Sequence, residues 1–223
     1  MKSIIQNTTV SLRCAGLMAA HSACKKKEVS PAGVGKISFV TGKVAVDGKD
    51  VKAGDPVAPG AAIKSGKGAA CEIIFQEKNI IKIMEEGDIT LNITDELRVV
   101  EMRAGALGNV LRKLTKLSKA ENPLFQIRTP TTVASVRGTV FFVKMESPEK
   151  TYICDCDGVV EISDPEGAQT QKVEAAHHAG FRYYRDGGKI VVRKAGLLYH
   201  DDKGVEALAA KIGETIDWKK VER

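Results

Sequence analysis

Residues 125–143 read Phe125-Gln-Ile-Arg-Thr-Pro-Thr-Thr-Val-Ala-Ser-Val-Arg-Gly-Thr-Val-Phe-Phe-Val143. Pro130 fixes a turn and keeps Thr129 out of the helical region. Thr131, Thr132 and Val133 are β-branched and favour extended backbone. Gly138 permits a bend where a side chain would clash, and Gly138–Lys144 then runs on as an apolar strand. Arg137, beside the bend, is placed to pair with a backbone carbonyl or a carboxylate, a structural role before a ligand contact. The stretch is strand, turn, strand, bend, strand. It determines a fold and carries no chemistry of its own.

The same rhythm extends to both sides. Lys36–Thr41 and Val44–Val46 are β-like, and Asp47-Gly48 after them is a hairpin signal. Gly54-Asp55-Pro56 and Pro59-Gly60 are turn chemistry. Cys71–Phe75, Ile80–Met84 and Val99–Met102 are further β runs, and Ile89, Leu91 and Ile93 alternate, giving one buried face and one wet. Downstream, Tyr152–Ile162 and the runs flanking Asp186-Gly187-Gly188 continue the sheet. Two segments break the pattern. Over 106–122, Leu107, Val110, Leu111, Leu114 and Leu117 recur at helical spacing and predict an amphipathic helix. Near the end, Val205, Leu208, Ala209 and Ile212 share a face behind a possible N-cap, Asp201 or Asp202, with Gly213 as the stop. Trp218 follows and is expected to seal an edge of the core.

The Thr129-Pro130 turn followed by Val136-Arg137-Gly138-Thr139 and a hydrophobic strand resembles the hallmark of FecR-type envelope domains. Gly35 to Gly42, Val44, Gly54-Asp55, Ile63, Ser65-Gly66 and Leu91 fit the same pattern, so the resemblance covers 34–145. It implies a mainly β domain of stacked short strands in a solenoid-like sandwich, here followed by a β extension with a C-terminal helix over 146–223. It also implies a periplasmic domain used for sensing or binding rather than catalysis. The membrane-anchored regulators of that family add a sigma-factor-binding segment, a transmembrane helix and a transporter-docking module. No stretch here reads as any of the three, which favours a stand-alone envelope protein.

The N-terminal 27 residues differ from the rest. Lys2, the apolar run Cys14–Ala20 and small residues before Cys24 resemble a bacterial lipoprotein signal peptide. Arg13 shortens the apolar run below a membrane span, and His21 stands where such signals carry leucine. The expectation is a signal peptide over 1–23, lipid on Cys24 and a polar tether over 24–33. A disordered N-terminus is the other reading.

That leaves Cys71, Cys154 and Cys156, an odd number for a disulfide framework, and three histidines, all beyond the close pair. Cys154 and Cys156 lie two apart on a strand, so both thiols share a face, with Cα atoms roughly 6.6 Å apart. Parallel Cβ vectors at that spacing suit a shared metal better than a mutual disulfide. Cys154, Cys156, one of His177 or His178, and His200 would make a Cys2His2 sphere for zinc or another thiophilic metal. Buried cysteines with surface histidines, or a disulfide to Cys71, remain open.

The remaining chemistries find little support. Asp155-x-Asp157-Gly158 lacks the other ligands of a calcium loop. No nucleophile elbow and no phosphate-binding glycine motif occurs. With 223 residues, a net charge of +6 and 5% aromatics, there is room for a core but no basic stripe for nucleic acid. The sequence therefore predicts a non-enzymatic envelope protein for sensing, binding or scaffolding. It would be tethered to a membrane by lipid on its periplasmic side and would meet an envelope protein or a small ligand. The alternative is a metal- or redox-binding envelope protein using the Cys/His cluster.

Overall fold

The structure, a computed structural model, describes residues 35–76, 78–94, 98–112 and 125–218, all within one compact unit. The expected signal peptide, Cys24 and its tether lie outside the described residues. The first strands are β1 (Gly35–Thr41), β2 (Val44–Val46), β3 (Lys49–Asp50), β4 (Pro56–Val57), β5 (Ala61–Ser65), β6 (Ala70–Phe75) and β7 (Asn79–Ile83). Then come β8 (Asp88–Ile93), β9 (Arg98–Ala104), β10 (Ala106–Leu111), β11 (Phe125–Arg128) and β12 (Val133–Val136). The last are β13 (Val140–Ser147), β14 (Lys150–Ser163), β15 (Thr170–Ala175), β16 (Ala179–Asp186) and β17 (Lys189–Ala195), before helix α1 (Asp202–Ala210). The described chain is thus mainly β with a C-terminal helix, as the sequence implies.

Hydrogen-bonding partners sort the strands into two sheets. The first runs β4-β1-β6-β7-β10-β13-β14-β16-β17. The second runs β3-β2-β5-β8-β9-β11-β12-β14-β15, antiparallel except for β9 with β11. Strand β14 belongs to both: Lys150–Asp157 pairs in the first sheet and Gly158–Ser163 in the second. The crossing falls at Gly158, whose φ of 131° is open to glycine and strained for other residues.

Between the sheets lies the main core, with Ile73, Phe75, Phe141 and Ile153 from one side and Ile63, Leu91, Phe125 and Val160 from the other. Alternation delivers these side chains; β8 is buried at Ile89, Leu91 and Ile93 and half-buried between. The Asp47-Gly48 hairpin forms with both residues at positive φ, and Gly187 and Gly188 do the same between β16 and β17.

A second apolar layer covers the outer face of the first sheet. Ile80, Val110, Phe142 and Tyr152 pack there against Val205, Leu208, Ala209, Ile212 and Ile216 of α1 and the segment after it. This layer explains where the sequence misleads. The helix expected over 106–122 is instead strand β10 in its described part, bonded to β7 and β13; residues 113–124 lie outside the described residues. Leu107 and Leu111 face the main core, while Ala106 and Val110 face α1. A strand buried on both faces loses its alternation, and the leftover apolar spacing imitates a helix.

The TPTTVASVRGT stretch is built as a scaffold. Thr129 accepts at its Oγ1 from the Thr132 backbone N–H at 3.0 Å. Thr131 and Thr151 hydroxyls meet at 2.6 Å in a fully buried polar knot. Arg137 is exposed, and Thr139 donates from its hydroxyl to the Val159 carbonyl at 2.9 Å, across the point where β14 changes sheet.

Candidate metal centre

Tyr152, Cys154 and Cys156 point from β14 to the outer face of the first sheet, and Ile153 points to the main core. The register against β13 slips between Asp155 and Asp157, so Cys156 is the extra residue of a bulge. A bulge increases local twist and re-aims a side chain, which is what two thiols two residues apart need in order to converge.

Two further segments bring imidazoles to the thiols. His178 follows β15 in a turn with φ of 46°, and its backbone N–H donates to the Cys156 carbonyl at 3.3 Å. Its Nδ1 lies 3.6 Å from Cys154 Sγ. His200 precedes α1 and sets its Nε2 3.3 Å from Cys156 Sγ, with its ring stacked on Phe142 at 4.4 Å between centroids. The four ligand atoms all lie within 4.8 Å of one another. Around a tetrahedral zinc, with Zn–S of about 2.3 Å and Zn–N of about 2.0–2.1 Å, a sulfur and a nitrogen would sit about 3.6 Å apart. Both observed sulfur–nitrogen distances are close to that edge.

Each imidazole is oriented from behind. His178 Nε2 meets Asp202 Oδ1 at 2.7 Å, and His200 Nδ1 meets the Leu198 carbonyl at 2.8 Å. With the ring proton on the remote nitrogen, each imidazole would offer its inner lone pair to a cation; without a cation, a protonated inner nitrogen donates to sulfur. Such outer partners accompany metal-binding histidines. His177 is outside the set of four: it is half-exposed and reaches Asp202 at 3.1 Å. Of the expected ligands, the structure gathers Cys154, Cys156, His178 and His200. Asp202 escaped the sequence reading because it looked like a helix cap. Asp201 is the cap, accepting from the Gly204 N–H at 2.8 Å, which frees the Asp202 carboxylate for His178.

The electrostatics suit a thiophilic cation. Hydrogen bonding from Cys156, then from His178 and His200, pulls the Cys154 thiol well below its ordinary value against the effect of burial. Burial and the neighbouring Cys154 push Cys156 well above its own. Of the pair, Cys154 thus gives up its proton the more readily. Burial alone would lower His178, but its bonds to Cys154 and Asp202 raise it. Asp202 is lowered, first by His178 and also by His177.

Other groups stay out of the cluster. Cys71 lies in the main core, on the opposite face of the first sheet from the pair, and burial pushes its thiol to about 12. A disulfide from it to either close cysteine would have to pass through the sheet. Of the aspartates weighed for calcium, Asp157 binds Arg112 at 2.9 Å; just past the end of β14, Asp164 accepts from the Ala168 N–H at 2.7 Å. Asp155 is buried with no hydrogen-bond partner for its carboxylate and is pushed up to about 8 by burial, then by Cys154 and Asp157.

Cys154, His178 and Asp202 also line up as nucleophile, base and orienting carboxylate. Cys154 is fully buried, however, which suits a structural ligand better than an accessible nucleophile.

The family described as FecR protein matches residues 61–161, from β5 into β14, and so includes both thiols but neither histidine of the set. Two crystal structures of a "putative anti-sigma factor" from Parabacteroides distasonis ATCC 8503 align at 17% identity with TM-scores of 0.47 and 0.46. Each alignment covers 60% of this chain and 60% of the other, so the chain spans less than two thirds of their length. No curated protein matches the chain. Among the described residues, no helix is long and apolar enough to cross a membrane. Over residues 61–161, a mainly β stretch that holds Thr129-Pro130 and Val136-Arg137-Gly138-Thr139 in its turns and bends, the chain is similar to the family described as FecR protein.

Proposed function

We propose that the protein is a non-enzymatic sensing module of the bacterial envelope that binds one thiophilic divalent cation, zinc, through Cys154, Cys156, His178 and His200. One observation carries the reading: four soft or borderline ligand atoms lie within 4.8 Å of one another, with both histidines oriented from behind. Two sulfurs and two nitrogens in a compact set select zinc among the common divalent ions. Four protein ligands leave no open position for a substrate, so the bound ion shapes the protein rather than catalyses. Binding removes the protons the thiols still carry, which makes affinity fall as pH falls.

Elemental analysis of protein purified without chelator tests this. About one zinc per chain is expected, falling below about a tenth in Cys154→Ser, while His177→Ala keeps its zinc. Substoichiometric metal that does not respond to Cys154→Ser overturns the reading.

The envelope setting is supported by the FecR-type domain. The anchor is proposed at Cys24, where the lipoprotein-like signal places the acyl chains. The Cys24→Ala variant is expected to leave the membrane fraction on fractionation; retention there would rule the lipid anchor out. An envelope protein is the proposed downstream partner.

A further inference from the structure

The four ligands are divided three to one. Cys154, Cys156 and His178 belong to the sheet, on β14 and the turn before β16. His200 belongs to the segment that leaves β17 and becomes α1, and Asp202 of the same segment holds His178. A cation in this set therefore ties residues 196–218 to the outer face of the first sheet.

Besides the apolar layer of Val205, Leu208, Ala209, Ile212 and Ile216, further polar ties lie toward the ends. At the start, Tyr152 donates from its hydroxyl to the Gly196 carbonyl at 2.9 Å and accepts from the Leu198 N–H at 3.1 Å. Beyond the helix, Lys78 pairs with Glu214 at 2.7 Å, and Lys211 pairs with the buried Glu72. Between them α1 has only nine residues, too few to hold a helix in water without tertiary support. A partly open cleft of about 200 Å³, bordered by Met84, Gly108, Phe142, His200 and Leu208, lies where the helix meets the sheet.

We infer that the cation is a latch: bound, it holds residues 196–218 down over the first sheet, and lost, it lets that segment open about its Tyr152-pinned start. The opening uncovers the apolar outer face at Ile80, Val110 and Phe142, so the cation's presence becomes a change of surface. This inference rests on the zinc reading above.

Trp218, the single tryptophan, packs 4.9 Å from the His177 ring and 5.1 Å from the His178 ring and reports on the segment. The test is amide hydrogen exchange by mass spectrometry on the full chain, zinc-loaded and chelator-stripped, with zinc content measured on the same samples. Stripping is expected to speed exchange across 202–212 by tenfold or more and to shift Trp218 emission to the red, with the strands of the second sheet unchanged. His200→Ala, which keeps both thiols and is held in excess zinc until its three remaining ligands are occupied, is expected to exchange over 202–212 like the stripped wild type. If the wild type carries one zinc but 202–212 stays protected after stripping, the latch is wrong and the metal site stands. Wild-type protection in zinc-loaded His200→Ala overturns the latch in the same way. If the wild type carries no zinc, both readings fall.

Discussion

Removing zinc is expected to lower the midpoint of thermal unfolding by about 10 °C. A ligand present at about a thousand times its dissociation constant stabilises the native state by about 4 kcal/mol. In a chain of this size each kcal/mol moves the midpoint by about 2–4 °C. The loss is this large because the site adds a tie between the sheet and residues 196–218 to the apolar layer and the two ion pairs that already join them. Cys154 and Cys156 are fully buried, and without the cation they keep only long, soft contacts to the imidazoles at 3.6 and 3.3 Å. Differential scanning fluorimetry with and without chelator measures the shift. Re-adding zinc should restore the midpoint, and Cys154→Ser should show the lower value with no chelator response. An unchanged midpoint on stripping a zinc-loaded sample would count against the site as a stabilising element.

The second large effect is expected at Gly158, where β14 passes from one sheet to the other. Its φ of 131° is a region L residues rarely adopt, and a Cβ there would lie 3.0–3.2 Å from the Oγ1, Cγ2 and Cα of Thr139. Thr139 cannot retreat without giving up its bond to the Val159 carbonyl. Gly158→Val combines backbone strain of about 1–3 kcal/mol with this steric conflict, for a total of about 3 kcal/mol. Thermal unfolding should fall by about 6–12 °C, while zinc stoichiometry stays near one at 20 °C. A midpoint within about 1 °C of wild type would show that the crossing tolerates a side chain.

This pairing of Gly158 with Thr139 also gives the TPTTVASVRGT stretch its physical meaning. Thr139 ends the motif and buttresses the crossing of a strand twenty residues later. Local turn chemistry was legible: Pro130, Gly138, Asp47-Gly48 and Gly187-Gly188 each act where their side chains or their lack dictate. The alternation of Ile89, Leu91 and Ile93 was legible too, because one face of β8 is buried and the other is not. β10 was not, since α1 covers its outer face and erases the period. The four side chains that the fold gathers could be named as candidate ligands from residue type and strand parity. What the sequence withheld was which adjacent histidine enters, and the role of Asp202. Those depend on the turn at His178 and on the neighbouring Asp201 taking the cap, both products of tertiary packing.

The division of ligands along the chain also sets a timetable. Cys154 and Cys156 are made first, His178 follows, and His200 comes after β17, the last strand of either sheet. A chain emerging from its N-terminus therefore completes both sheets before it can close the four-ligand set. Earlier in synthesis or translocation, only thiols and one imidazole are on offer. On the zinc reading, capture by all four ligands would follow completion of both sheets and mark the close of assembly.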